Sequence, residues 1–82
     1  MTDTELYLQD VLGEFLEHAR GARADYLERR SQAGEVAAQF EAGRALAYYE
    51  VVSHALAQLQ AFGIDRRRVG VSADLNVERE LL

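Results

Sequence analysis

The apolar positions in the N-terminal third of the chain recur with a helical period. Leu8, Leu12, Phe15, Ala19, Ala22 and Tyr26 follow one another at alternating steps of four and three residues. Such steps keep side chains on one face of an α-helix. The spacing therefore predicts a helix over about residues 4–30 with a heptad-like seam, widened by Leu16 and Leu27. Thr2, Asp3 and Thr4 are candidate N-caps, because their side-chain oxygens can accept from the free N–H groups of the first turn. Acids crowd the first half of this segment, and Arg20, Arg23, Arg29 and Arg30 crowd its end. Both placements oppose the partial charges of the helix dipole. Gly13 and Gly21 each cost a helix about 1 kcal/mol relative to alanine, which marks them as candidates for close approach of a neighbouring helix.

Ser31–Gln32–Ala33–Gly34 carries the one turn signal of the first 60 residues. A glycine there can take the left-handed conformation that ends a helix. The alternative is a single continuous helix about 90 Å long, with the seam threaded through Ala33, Val36 and Phe40. The helix-stop signals favour the hairpin.

The pattern resumes over about residues 35–62, a second helix matched in length to the first. One face carries Val36, Phe40, Ala47, Val51, Ala55, Leu59 and Phe62. An adjacent face carries Ala45, Tyr48, Val52, Leu56 and Leu59. A helix with a single neighbour needs only a narrow stripe, so this wide arc predicts two or more neighbours. Gly63 is placed to end the helix, with Ile64 folding back as the apolar partner of that cap. The tail, residues 63–82, is less regular. Asp65 is placed to cap a turn through Arg66–Arg68, Val69–Gly70–Val71 reads as a bend, and Asp74 or Asn76 can cap a last turn ending in Leu81 and Leu82. Its many Val and Leu side chains predict a tail docked on the helices or on a second copy.

The expected fold is thus all-α and a single domain: two long antiparallel helices forming a helical hairpin, plus a short C-terminal helical tail. No proline interrupts the pattern, and no run of alternating β-branched residues argues for a strand. One hairpin leaves much of each helix uncovered, so a symmetric dimer forming a four-helix bundle is the economical way to close the core.

Composition narrows this picture. Hydrophobic residues at 49% and charged residues at 28% mark a globular chain rather than a disordered one. At 82 residues with no cysteine, a chain has neither disulfides nor thiolate metal sites to supplement a small core, which again favours oligomerisation. No apolar run reaches the roughly 18 residues needed to cross a membrane. Asp3, Glu5 and Asp10, without a basic residue, do not fit a secretory leader, so a cytoplasmic location is expected. The net charge of −5 disfavours general nucleic-acid binding, which relies on neutralising phosphates.

Three clusters could carry chemistry or recognition. Glu14 with His18 and Glu50 with His54 share the i,i+4 spacing that places each pair on one helix face. A hairpin would bring both pairs to similar levels, and carboxylates with imidazoles are metal ligands in helical bundles. The i,i+3 Glu–His motif of carboxylate-bridged metal bundles is absent, so solvated ion pairs are the favoured reading and no metal or cofactor is assigned. Arg66, Arg67 and Arg68 form a compact basic segment that could meet phosphate or an acidic surface, or pair with local acids. Arg44, Tyr48 and Tyr49 combine the residue types enriched at interface hot spots. Ser53 adjoins His54, but adjacent helical side chains diverge by about 100°, so the two do not make a catalytic dyad. No catalytic residue is assigned.

The sequence therefore points to a non-enzymatic, homo-oligomeric helical interaction module: an adaptor, regulator or inhibitor. Its first expected partner is itself, as a homodimer or higher even-numbered oligomer, with a different protein as a further partner. Arg44, Tyr48, Tyr49 and Arg66–Arg68 are the candidate contact residues. The rival readings are a metal-binding bundle using the Glu–His pairs and a nucleic-acid-associated regulator using the arginine segment.

Overall fold

The computed structural model describes residues 2–82. Helix α1 spans Asp3–Ala33 and helix α2 spans Gln39–Ala61; a 3-10 turn over Arg66–Val69 and a short helix α3, Val77–Leu81, follow. No strand occurs among the described residues. The chain is an all-α helical hairpin whose tail folds back along it.

Helix α1 begins where its chemistry allows. Thr2 Oγ1 accepts from the Glu5 N–H at 3.1 Å, while the Glu5 carboxylate accepts from the Thr2 N–H at 3.3 Å. This reciprocal capping box satisfies two donors that a helix start otherwise leaves open. The helix runs through Ser31–Gln32–Ala33, where a turn is expected from the sequence. Nothing in those three residues forbids the helical conformation, and Gln32 donates to Glu28 one turn back at 3.3 Å. Gly34 makes the break, with φ 89° and ψ 169°, a region essentially open only to glycine. Residues 35–38 then form a turn, so regular α2 starts at Gln39 rather than near residue 35. Glu35 ties this turn to α1 by accepting from the Tyr26 hydroxyl at 2.6 Å.

The expected seam of α1 is the one buried. Leu12, Leu16, Ala19 and Ala22 are buried, and Leu8, Phe15 and Tyr26 are half-buried. On α2 only one of the two apolar faces is covered. Ala45, Val52 and Leu59, seven residues apart, face α1 and fix the phase of the helix. Tyr48 and Leu56 flank them half-buried. That phase turns the other apolar face outward: Phe40 is 78% exposed and Phe62, at the C-cap, 76%, and Val36 in the preceding turn is exposed as well. The expected second neighbour along that side of α2 is not supplied by the chain itself. Gly13, Gly21 and Gly43 likewise do not mark close approach, since a Cβ at each would meet nothing within 4 Å.

The tail is docked. The Ile64 N–H donates to the Leu59 carbonyl at 2.9 Å across Gly63, whose φ is 70°, closing α2 with an apolar clasp. Asp65 caps the 3-10 turn by accepting from the Arg67 N–H at 3.0 Å, and Asn76 caps α3 by accepting from the Arg79 N–H at 3.0 Å. Val69, Val71, Leu75, Val77 and Leu81 all join the core formed by Leu12, Leu16, Val52 and Leu59.

Candidate interaction surface

The hairpin has two broad faces, and the tail takes one. On that side Gly70 sits against Gln9, Arg68 pairs with Glu5 at 3.1 Å, and Arg20 lies 3.8 Å from Glu80. A groove of about 510 Å³ remains between α2 and the tail, lined by Ser53, Leu56, Gln60, Arg66 and Glu78. Ser53 thus faces the tail, whereas His54 is exposed to solvent, so these neighbours diverge as adjacent helical residues must.

The opposite face has no cover among the described residues. Its floor is the half-buried row of Leu8, Val11 and Phe15 from α1 with Tyr48 and Ala55 from α2. Along its α2 edge run Phe40, Val51 and Phe62, all exposed. Near the free end of the hairpin the floor opens into a groove of about 290 Å³ lined by Leu8, Leu12, Ala55, Leu59 and Phe62, with Gln58 at its edge. The chemistry of this face is apolar burial. It presents mainly carbon surface to a partner.

Arg44 and Tyr48 belong to this face. The Arg44 guanidinium lies 5.4 Å from the Tyr48 ring centre and pairs with Asp25 at 3.3 Å, while the other side of the cluster stacks His18 on Tyr48 at 5.7 Å with rings nearly parallel. These contacts hold a row of planar groups across the two helices at mid-height. Tyr49 is half-buried and packs against the core instead.

The arginine segment is spoken for within the chain. Arg66 reaches the Ala73 and Leu75 carbonyls at 2.7 and 2.8 Å and so stitches the tail to itself. Arg67 grips Asp65 at 2.6 Å, and Arg68 reaches Glu5. Asp65 is the local acid that the sequence offers as a partner; Glu5, 63 residues away, is one that no sequence spacing could reveal. The Arg67 hydrogen bonds hold the Asp65 carboxyl down at about 2, and bonds from Thr2 together with Arg68 hold Glu5 below its ordinary value.

Glu14, His18, Glu50 and His54 are all exposed. Among the described residues no three His, Asp or Glu side chains cluster closely enough to hold a metal ion. The pairs sit outside the buried seam, so the hairpin brings their levels together but not their side chains. No helix among the described residues is long and apolar enough to cross a membrane.

No family model, curated protein or solved structure matches this chain. The functional reading therefore rests on the surface itself.

Proposed function

We propose that this protein is a non-enzymatic, homo-oligomeric helical interaction module that works by burying the open face of its hairpin. The observation that carries this reading is the uncovered apolar face, with Phe40, Val51 and Phe62 exposed along α2 beside the apolar groove at Leu8. Isolated exposed apolar residues are ordinary, but several along one face of a helix pair beside an apolar groove mark a candidate interaction site. The Arg44–Tyr48–His18 row adds the planar and cationic groups that give such interfaces specificity. An adaptor, a regulator and an inhibitor would all use a surface of this kind.

The test is native mass spectrometry combined with sedimentation equilibrium on gently purified protein over a wide concentration range. A homodimer or higher even-numbered oligomer supports the reading. A monomer at every concentration removes its homo-oligomeric part.

A further inference from the structure

On the open side of α2 and its C-cap, Phe40, Ala47, Val51, Ala55 and Phe62 form a palindrome about Val51. Phe40 and Phe62 lie eleven residues to either side, and Ala47 and Ala55 lie four to either side. At about 100° and 1.5 Å per residue, these residues fall within about 40° of Val51 around the helix, and each Phe lies about 16 Å from it along the axis. A pattern that reads the same in both directions is self-complementary under one operation, a two-fold axis perpendicular to the helix.

We infer that a second copy of this chain docks antiparallel on the open face, α2 against α2, with the two-fold axis at Val51 and with Phe40 of each copy seated beside Phe62 of the other. This rests on the homo-oligomeric reading above and adds its register. The alanines at the near positions let the two helices approach closely, at the short end of the usual 8–10 Å separation. At each end the incoming Phe40 meets the apolar groove of about 290 Å³ that Leu8, Ala55 and Phe62 bound. The same axis sets Arg44 of one copy opposite Gln58 of the other, a donor against an amide that can accept.

Charge favours the antiparallel arrangement. The free end of the hairpin, residues 1–19 and 50–62, holds six acids and no arginine; the turn end, residues 20–49, holds five arginines and four acids. The tail adds four of each, and its Arg66–Arg68 and Asp65 dock at the free end, which stays negative at −4 (seven acids against three arginines). An antiparallel pair lays each acidic end beside the other copy's turn end, whereas a parallel pair would lay one acidic end beside the other. Area agrees as well. The chain exposes 5629 Å², whereas a compact monomer of its mass exposes about 4,900 Å². The excess, roughly 700 Å², is close to the ~800 Å² that each partner gives to a standard interface.

Site-directed cross-linking tests this, because the chain has no cysteine of its own. Each variant is treated with oxidant and with a short bis-maleimide after native mass measurement. Val51→Cys is expected to give a covalent dimer. Phe40→Cys and Phe62→Cys are each expected to stay unlinked alone, their thiols lying about 33 Å apart across the axis. A tagged Phe40→Cys chain mixed with an untagged Phe62→Cys chain is expected to give the mixed product. A dimeric mass with no link through Val51→Cys, or a self-link through Phe40→Cys, overturns this register and leaves the homo-oligomeric reading standing. A monomeric mass for the unsubstituted chain at all concentrations overturns both.

Discussion

Gly70 and Gly13 show how the same residue type can be required at one position and dispensable at another. Gly70 has φ 80°, and a Cβ there would lie 2.9 Å from the Cγ of Gln9, so both its own backbone and the docked α1 exclude a side chain. Gly13 sits in regular helix with open space where its Cβ would be. Gly13→Ala is therefore expected to stabilise the fold by about 0.5–1 kcal/mol, and Gly70→Ala to destabilise it by about 1–2 kcal/mol. For a domain of this size 1 kcal/mol moves the melting temperature by about 4–8 °C, so circular-dichroism melts at one fixed protein concentration separate the two signs. Asp65 offers a second test at this scale. Its carboxyl, held at about 2 by Arg67 and below its ordinary value of 3.8, adds stability that is fully present above that ordinary value. The contribution fades as pH falls toward 2. Glu5, held low by Thr2 and Arg68, acts in the same direction below its ordinary 4.5. Titration followed by carboxyl carbon shifts should place the Asp65 midpoint near 2, well below its ordinary 3.8. Loosening of the N-terminal cap and of the tail should begin as the pH drops under about 4. An Asp65 midpoint near 3.8 would show that the Arg67 grip does not persist in solution.

At the scale of elements, the parts legible in the sequence are those set by local physics. The four-and-three spacing from Leu8 to Tyr26 gives α1 and its buried seam, Gly63 with Ile64 gives the end of α2, Asp65 gives the first cap of the tail, and Asn76, one of two candidates with Asp74, gives the second. What the sequence leaves open is phase. α2 carries two apolar faces of similar strength, and only the contact of Ala45, Val52 and Leu59 with α1 decides which one is buried. The same holds for the candidate surface: Arg44 and Tyr48 are visible from residue type, but the exposed Phe40–Val51–Phe62 edge becomes visible only once that phase is known. The arginine segment shows the reverse problem, since three adjacent cations look free until the tail folds back on them. Arg66 is the key tie, its guanidinium joining the Ala73 and Leu75 carbonyls. Arg66→Ala is expected to cost about 1.5–3 kcal/mol, the usual worth of hydrogen bonds to a charged group. The loss should be local. Amide exchange should accelerate over residues 70–82 while the centre of α1 stays protected; equal acceleration throughout would mean that the tail and the hairpin unfold as one unit.

At the scale of the whole molecule, the fold is a rod that keeps its core thin. It measures 46 × 20 × 18 Å with a radius of gyration of 14.3 Å, against about 12 Å for a compact chain of this length. The tail widens the core on one side only, from Glu5 to about the level of Arg20, and leaves the opposite face to solvent. Covering the open face would complete a four-helix cross-section and remove Phe40, Val51 and Phe62 from water together. If that closure is part of the native state, stability must depend on mass action. The melting temperature of the unsubstituted chain should then climb as protein concentration rises, because dilution favours the monomer with its face exposed. Val51→Glu places a charge at the centre of the face, where it is 43% exposed in the single chain and so costs the hairpin little. In a dimer, two such carboxylates would meet without counter-charges and lose their water, a combination that interfaces do not tolerate. The variant is therefore expected to keep the helical circular-dichroism spectrum, to sediment as a monomer, and to melt at a temperature independent of concentration. Retained dimerisation in Val51→Glu would place the contact on another surface and leave the apolar face to a different partner.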